Sequence, residues 1–450
     1  MERVSISRTS VVPGAIDDVF AWHERPGAFR RLTPPGSPIG LKSEATSIRD
    51  GRAVLALPGG MEWVASHLPS GYHPPHQFVD KLTNLPLRLV TPWTHTHRFE
   101  AVDADHTRII DHVETRVPGF ALSSMFDYRH RQLADDMTTQ AWARELAPDP
   151  LVIGITGASG TIGRSLAALM TTGGHQVVSL VRRDPSGPDE RRWDPDAPDS
   201  DLLDGLDVLV HLAGASIAGR FTDGHVAAVR DSRVGPTRLL CEVVADAHAS
   251  GRGPSVVVAG SAIGYYGDVR GDEELTETSP PGDGVVADIV RDWEDATGPA
   301  REAGVRVPVI RTGVVQAADG GMLALLRPLF TAGLGGRLGN GRQWLSWIGV
   351  DDVCDVFYRA ALDDRLDGPV NAVAPNPVRN SEFTATLGHV LHRPTVLPVP
   401  AIAPELLLTR TGARSLALAD QRVVPGVLTD LGHTFRMPTL EPVLRHQLGH

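Results

Sequence analysis

Leu151-Val152-Ile153-Gly154-Ile155-Thr156-Gly157-Ala158-Ser159-Gly160-Thr161-Ile162-Gly163 is the stretch whose reading decides the fold of most of this chain. A short apolar run ends in a GxxGxxG loop, and the residues from Gly163 to Thr172 take up helical spacing. A phosphate reaches backbone N–H groups and the positive end of a helix dipole only where side chains leave the approach clear, so glycines line such a turn. A glycine-rich loop alone is a weak signal, whereas a strand before it and a helix after it make it specific. The motif therefore reads as a dinucleotide-binding loop, with Thr156, Gly157, Ser159, Gly160, Thr161, Ile162 and Gly163 around the pyrophosphate.

Downstream, strand and helix patterns alternate: Gln176 to Val181, Val208 to Leu212, a helix through Arg230 to His248, then Ser255 to Gly260. Repeated βα units of this kind predict a doubly wound, Rossmann-type parallel sheet with helices on both faces. The second strand runs into Arg182-Arg183-Asp184. An acidic residue there would read the ribose 2′-hydroxyl of NAD, whereas two guanidinium groups suit a 2′-phosphate, so NADP(H) is the expected cofactor. The competing reading makes both arginines solvated and leaves the ribose to Asp184. Beyond about Gly320 the pattern is less regular, rich in Gly, Pro and Leu, and reads as a small substrate lobe.

Upstream, Val4 to Val117 is mostly extended, with an early helix at Ala15 to His23 and a hairpin formed by Trp93–Val102 and Thr107–Val117. Met125, Phe126, Leu133, Met137, Ala141 and Trp142 then recur at helical spacing, predicting one long amphipathic helix from Leu122 to Leu146. A curved sheet gripping that last helix is an α+β helix-grip arrangement and leaves an apolar cavity between them. Pro148-Asp149-Pro150 separates the finished helix from a new strand, so the expected domains are 1–147 and 151–450. His95 and His97 share a face of one strand, which suits metal ligation. A third ligand such as His67 or His112 would be needed and no pattern brings one near, so both read as ordinary polar histidines and no metal is expected.

Composition narrows the function classes. With 450 residues, 42% hydrophobic and 22% charged, the chain has the balance of two or three ordinary globular domains. A net charge of −11 with no Lys/Arg-rich block leaves no electrostatic footprint for nucleic acid or anionic membrane. Two distant cysteines, Cys241 and Cys354, exclude a disulfide framework and a Cys-ligated zinc site. The opening MERVSISRTSVV has no signal-peptide form and no apolar run approaches a membrane span, so a cytoplasmic location is expected.

Several segments carry a resemblance. His211-Leu212-Ala213-Gly214-Ala215, Arg230-Asp231-Ser232-Arg233-Val234-Gly235, Ser261-Ala262-Ile263-Gly264-Tyr265-Tyr266-Gly267-Asp268, Arg291-Asp292-Trp293-Glu294, Arg311-Thr312-Gly313-Val314-Val315 and Gly341-Arg342-Gln343-Trp344-Leu345-Ser346-Trp347-Ile348 closely resemble the YfcH-like atypical extended short-chain dehydrogenases/reductases. That group is usually described as NAD-dependent epimerase/dehydratase family proteins, and some bacterial members as cell-division inhibitors. The resemblance covers essentially all of 151–450. It implies an NADP(H)-binding Rossmann enzyme with Leu212, Ala213 and Gly214 beside the cofactor ribose and Arg311 among the cofactor-binding residues. Phe20 to Pro35 and Pro92 to Phe99 are similar to START-like (SRPBCC) domains, which implies that the first domain binds a hydrophobic small molecule.

The chain departs from the wider superfamily in one respect. A Tyr-x-x-x-Lys pair, in which lysine lowers the tyrosine pKa for proton transfer, is missing, and Val285-Val286-Ala287-Asp288-Ile289-Val290 stands where it belongs. Ser261, Tyr265 and Tyr266 are the remaining catalytic candidates, with Asp288 and Arg342 weaker ones for substrate contact. Both tyrosines simply packing with their hydroxyls at the surface is an equal alternative. The expected function is an NADP(H)-dependent oxidoreductase acting on a small carbonyl or alcohol, against a non-catalytic NADP(H)-binding regulator and a nucleotide-sugar epimerase or dehydratase.

Overall fold

A computed structural model of the chain describes residues 4–37, 39–400 and 402–449; residues 1–3, 38, 401 and 450 of the expected domains lie outside the described residues. The chain forms two compact units. One holds the residues up to Asp149 with Ala167–His175 and the last residues from Leu448, and the other holds Pro150–Leu166 and Gln176–Gln447.

In the first unit, seven strands form one antiparallel sheet: β1 (Val4–Pro13), β2 (Gly40–Ser43), β3 (Arg52–Ala56), β4 (Glu62–His67), β5 (Gln77–Leu82), β6 (Trp93–Ala101) and β7 (His106–Thr115), in the order β1-β7-β6-β5-β4-β3-β2. Strict alternation sets its two faces. His95, His97 and Phe99 of β6, and Thr107, Ile109, Asp111, Val113 and Thr115 of β7, all turn inward. Helix α1 (Ile16–Glu24) and the long helix α2 (Ser123–Leu146) belong to this unit. Val19, Phe20 and Trp22 of α1 pack with Leu133 and Met137 of α2 and with Phe78, Phe99 and Ile109 of the sheet. The buried face of α2 is less apolar than the expected stripe: Ala141 is exposed, whereas His130, Gln132, Asp136 and Gln140 are buried. Asp136 accepts a two-pronged ion pair from the buried Arg31 at 2.8 and 2.6 Å, which is how a charge is tolerated there.

The second unit is built on a parallel sheet of β8 (Val152–Thr156), β9 (Gln176–Val181), β10 (Glu190–Arg192), β11 (Val208–His211), β12 (Val256–Ala262), β13 (Pro308–Thr312) and β14 (Gly368–Ala372), in the order β10-β9-β8-β11-β12-β13-β14. The central strands β11 and β12 are short and mostly apolar, as strands covered on both faces must be, whereas the edge strand β10 is Glu-Arg-Arg. Strand order reverses at β8, which lies between β9 and β11, so a crevice opens at the carboxyl ends of β8 and β11.

Two expectations are corrected here. The helix read through Arg230 to His248 is two, Asp223–Asp231 and α4 (Val234–Ala249), broken at Ser232-Arg233. The stretch beyond Gly320 is not one separate lobe, because it returns to the sheet: helix α6 (Val350–Leu362) leads to β14, which pairs with β13 from Pro308↔Gly368 to Thr312↔Ala372. Helix α3 (Thr161–Thr172) follows the glycine loop, and α5 (Val285–Asp295) lies between β12 and β13 in the chain. No helix among the described residues is long and apolar enough to cross a membrane.

Candidate functional site

The glycine loop sits at the crevice because β8 delivers it there. Thr156 pairs with His211 across β8 and β11, which brings 157–160 beside Leu212 and Ala213. Gly157 has φ +69°, and a Cβ on it would stand 3.0 Å from the backbone of Leu212 and Ala213. At Gly163 a Cβ would come within 2.2 Å of the Gly157 carbonyl oxygen, so α3 packs this tightly under the loop only with glycine there. The structure thus brings together Thr156, Gly157, Leu212 and Ala213, and the loop closes onto the amino end of α3. This cradle fits a dinucleotide pyrophosphate, which needs free N–H groups and no intruding side chain.

Beneath the loop lies a buried polar chain. The Thr156 hydroxyl oxygen accepts the N–H groups of Leu212 and Ala213 at 3.0 and 3.2 Å, leaving its proton for His211 Nδ1 at 2.8 Å. His211 Nε2–H then donates to Thr237 Oγ1 at 3.0 Å, which also accepts from Trp293 Nε1–H at 3.1 Å. Burial, helped by the charge of Arg233, pushes His211 down to about 4. A histidine depressed in the folded state favours unfolding as pH falls from 6.5 toward about 4, because the unfolded chain takes up the proton first. Unfolding free energy measured by urea titration between pH 6.5 and 4.5 should fall with acid, and H211Q should lessen that slope by up to about 1.4 kcal/mol per pH unit. An identical slope in wild type and variant would mean that His211 takes up its proton as readily in the native protein as in the unfolded chain.

The helix break noted above places Arg233, a residue the sequence reading did not single out, against Gly214. Its guanidinium carbon lies 3.0 Å from where a Gly214 Cβ would be and 5.1 Å from the Trp293 ring centroid. A half-buried cation therefore borders the crevice.

The catalytic candidates separate. Tyr266 is completely buried, its hydroxyl donated to Asn371 Oδ1 at 2.7 Å, and burial pushes it up to about 12. Its hydroxyl is thus held inside the protein, which corrects the alternative that it lies at the surface. Ser261 Oγ donates to Glu294 Oε1 at 2.6 Å, so its hydroxyl is already engaged. Arg311 is 3% exposed and gives Glu294 a two-pronged ion pair at 2.9 and 2.8 Å. Burial opposes its charge, but Glu294 keeps it firmly protonated. Arg311 is thus part of the floor and not a free cofactor contact. Tyr265 alone stays half-buried, with its hydroxyl unengaged among the described residues and Arg311 3.4 Å from its ring centroid.

Where the superfamily has its phenol and amine, Val286 and Val290 are buried with Phe221 and partly buried Tyr265 and Leu416. Glu294 continues that row at i+8. A carboxylate following two valines on one helix stripe is the sequence signal for the Ser261–Glu294–Arg311 group. Asp288 pairs with Arg291 on its own helix and Arg342 is exposed. At the end of β9, Arg183 is held by Glu190 at 2.8 and 2.5 Å, whereas exposed Arg182 has no partner among the described residues.

Comparison with known proteins agrees with this arrangement. The model of the NAD dependent epimerase/dehydratase family matches residues 153–285, and that of a domain of unknown function, DUF1731, matches 399–447. An epimerase family protein of Mycobacterium bovis is 40% identical over 296 residues, 65% of this chain and 96% of that protein. The crystal structure described as the nucleoside-diphosphate sugar epimerase from Corynebacterium glutamicum is 43% identical with a TM-score of 0.86, covering 99% of this chain and 90% of that one. Human epimerase family protein SDR39U1, solved with NADPH, is 29% identical with a TM-score of 0.59, covering 66% of this chain and 98% of the human one.

Proposed function

The chain belongs to the NAD-dependent epimerase/dehydratase family, and from this we propose that its second unit is an NADP(H)-dependent oxidoreductase acting on a small carbonyl or alcohol substrate. The observation that carries the reading is the Gly157 turn, seated on the Leu212–Ala213 backbone at the point where the strand order reverses. NADP(H), when bound, supplies or accepts the hydride. The loop from Gly157 to Gly163 and the amino end of α3 hold the pyrophosphate, and Ala213 and Gly214 give the ribose a flat floor. Arg233 borders the substrate side as a cation for an oxygen-bearing group. Tyr265 holds the proton for the substrate oxygen, oriented by Arg311, which Glu294 and Tyr266 fix in place. Ser261 is a positioning residue acting through Glu294. Val286 and Val290 keep the neighbouring surface dry in place of the usual lysine.

The human relative solved with NADPH supports the choice of phosphate-bearing cofactor, and Arg182 is the free cation for the 2′-phosphate. Calorimetric titration should show NADPH binding more tightly than NADH. R182A should weaken NADPH about tenfold, the worth of one charge-assisted hydrogen bond, and leave NADH unchanged. R183A should have a smaller effect, because Glu190 already holds that guanidinium. Equal affinities for the two cofactors would remove the NADP(H) assignment.

A second reading, nucleotide-sugar epimerisation, is favoured by the description of the Corynebacterium relative. It predicts turnover of a nucleotide sugar without net cofactor oxidation, whereas the first predicts loss of NADPH absorbance with a carbonyl compound. The domain boundary belongs at Pro148–Pro150, a division supported by the Mycobacterium bovis relative, which is matched over 96% of its length by 296 residues of this chain. The first unit is a helix-grip fold of the START-like kind, and its cavity of about 340 Å³, lined by Leu55, Trp63, Phe78 and Trp93 among others, takes a small apolar ligand.

A further inference from the structure

Deep in the first unit, three strands bring histidines and carboxylates to one inward face. Antiparallel register sets Asp80 of β5 opposite His95 of β6, and His97 of β6 opposite Asp111 of β7. His95, His97 and Asp111 are buried, and Asp80, His95 and His97 line the cavity. The third ligand that the sequence reading lacked is therefore supplied across the ladder by an aspartate, not by the histidines at 67 or 112.

The hydrogen-bond geometry sorts these groups. His95 Nε2 and His97 Nδ1 lie 2.9 and 2.7 Å from the same oxygen of Asp111, whose other oxygen accepts from His130 Nε2 at 3.0 Å. Ser10 Oγ in turn stands 2.5 Å from His130 Nδ1. A carboxylate only accepts and a neutral imidazole has one N–H, so Asp111 takes the proton-bearing nitrogen of each ring. In those tautomers the lone pairs of His95 Nδ1 and His97 Nε2 face Asp80 Oδ2, at 3.6 and 3.3 Å, a contact that without a metal is a hydrogen bond only when His97 carries a proton on Nε2. Three electron-rich atoms thus converge, all within 4.8 Å of one another. Protonating both rings would set two imidazolium ions, tilted 39° to one another, with centroids only 3.8 Å apart. A metal ion satisfies all three atoms at once, and tetrahedral bonds of about 2.0–2.1 Å give ligand-to-ligand edges of about 3.3 Å, against which the two histidine-to-Asp80 distances of 3.3 and 3.6 Å stand close.

We propose that Asp80, His95 and His97 bind a divalent first-row transition metal, zinc or an ion of similar preference, in the cavity of the first unit. Asp111 fixes both imidazole tautomers from behind, as carboxylates do for metal-bound histidines, and His130 with Ser10 fixes Asp111. Three protein ligands leave at least one coordination position open, the mark of a reactive or ligand-binding site and not a purely structural one. The three ligands share their cavity with Trp63, Phe78 and Trp93, so the ligand class is a small apolar molecule bearing an oxygen donor.

The test uses the untagged full-length chain, stripped of metal and titrated with Zn(II) and with Co(II). One equivalent of each ion per chain is expected. D80N and H97Q should each weaken binding by about 100-fold or more, and D111N by about 10–100-fold through loss of the histidine orientation. X-ray absorption of the zinc-loaded wild-type protein should show a nitrogen and oxygen shell with scattering from two imidazoles and no sulfur, a result that stands even if a variant fails to fold. Less than a tenth of an equivalent bound in excess metal, a shell without imidazole, or unchanged affinity in a folded D80N protein would each overturn the proposal. NADPH affinity of the same variants should equal that of wild type, which separates this site from the dinucleotide site.

Discussion

Replacing Gly157 by valine is expected to weaken NADPH binding by about 100-fold or more, because the loop must present bare backbone to the pyrophosphate. The glycine sits at φ +69°, a conformation that a β-branched residue tolerates poorly. Its new side chain would also begin 3.0 Å from the Leu212 and Ala213 backbone, so relief comes by pushing the loop into the crevice. The disturbance is local, since β8 and α3 keep their own hydrogen bonds. Calorimetry with NADPH and a far-ultraviolet circular dichroism spectrum check both parts. Normal affinity with an unaltered spectrum would show that the phosphates are held elsewhere.

Changing Glu294 to alanine should be the most destabilising single substitution in the second unit's polar floor. Arg311 is 3% exposed, and the variant leaves its charge buried with only the Tyr266 hydroxyl and the Glu277 carbonyl nearby. Removing one partner of a buried pair costs about 3–5 kcal/mol, whereas replacing both with apolar residues is often close to neutral. Chemical denaturation should therefore show E294A far less stable than wild type and the double variant E294A/R311M partly recovered. A loss below about 1 kcal/mol in E294A would mean that water already solvates the pair.

The parts of this fold legible in the sequence were those whose information is local. The glycine loop, the apolar β8 and β9, the β6–β7 hairpin and the long α2 each announce themselves by spacing within a few residues. What escaped depended on partners far along the chain. Tyr266 looked as available as its neighbour Tyr265, and only the fold shows that Asn371, more than a hundred residues away, takes its hydroxyl. The ladder that sets Asp80 beside His95 could not be read from His95 and His97 alone, because register between strands is a property of the sheet. The break at Arg233 was hidden by a helical pattern that continues through it, and the engagement of Arg183 required knowing that β10 would run beside β9 and carry Glu190 to it.

The late arrival of β14 bears on how the protein is made. Strand β13 is finished at Thr312, yet the strand that covers its outer edge begins only at Gly368. Until the ribosome has released that segment, β13 offers a row of unpaired N–H and C=O groups on the apolar sequence Pro308-Val309-Ile310, a template for pairing with another nascent chain. Chains cut short between Gly320 and Gly368 should therefore aggregate during synthesis, whereas those ending after Ala372 carry their own edge guard.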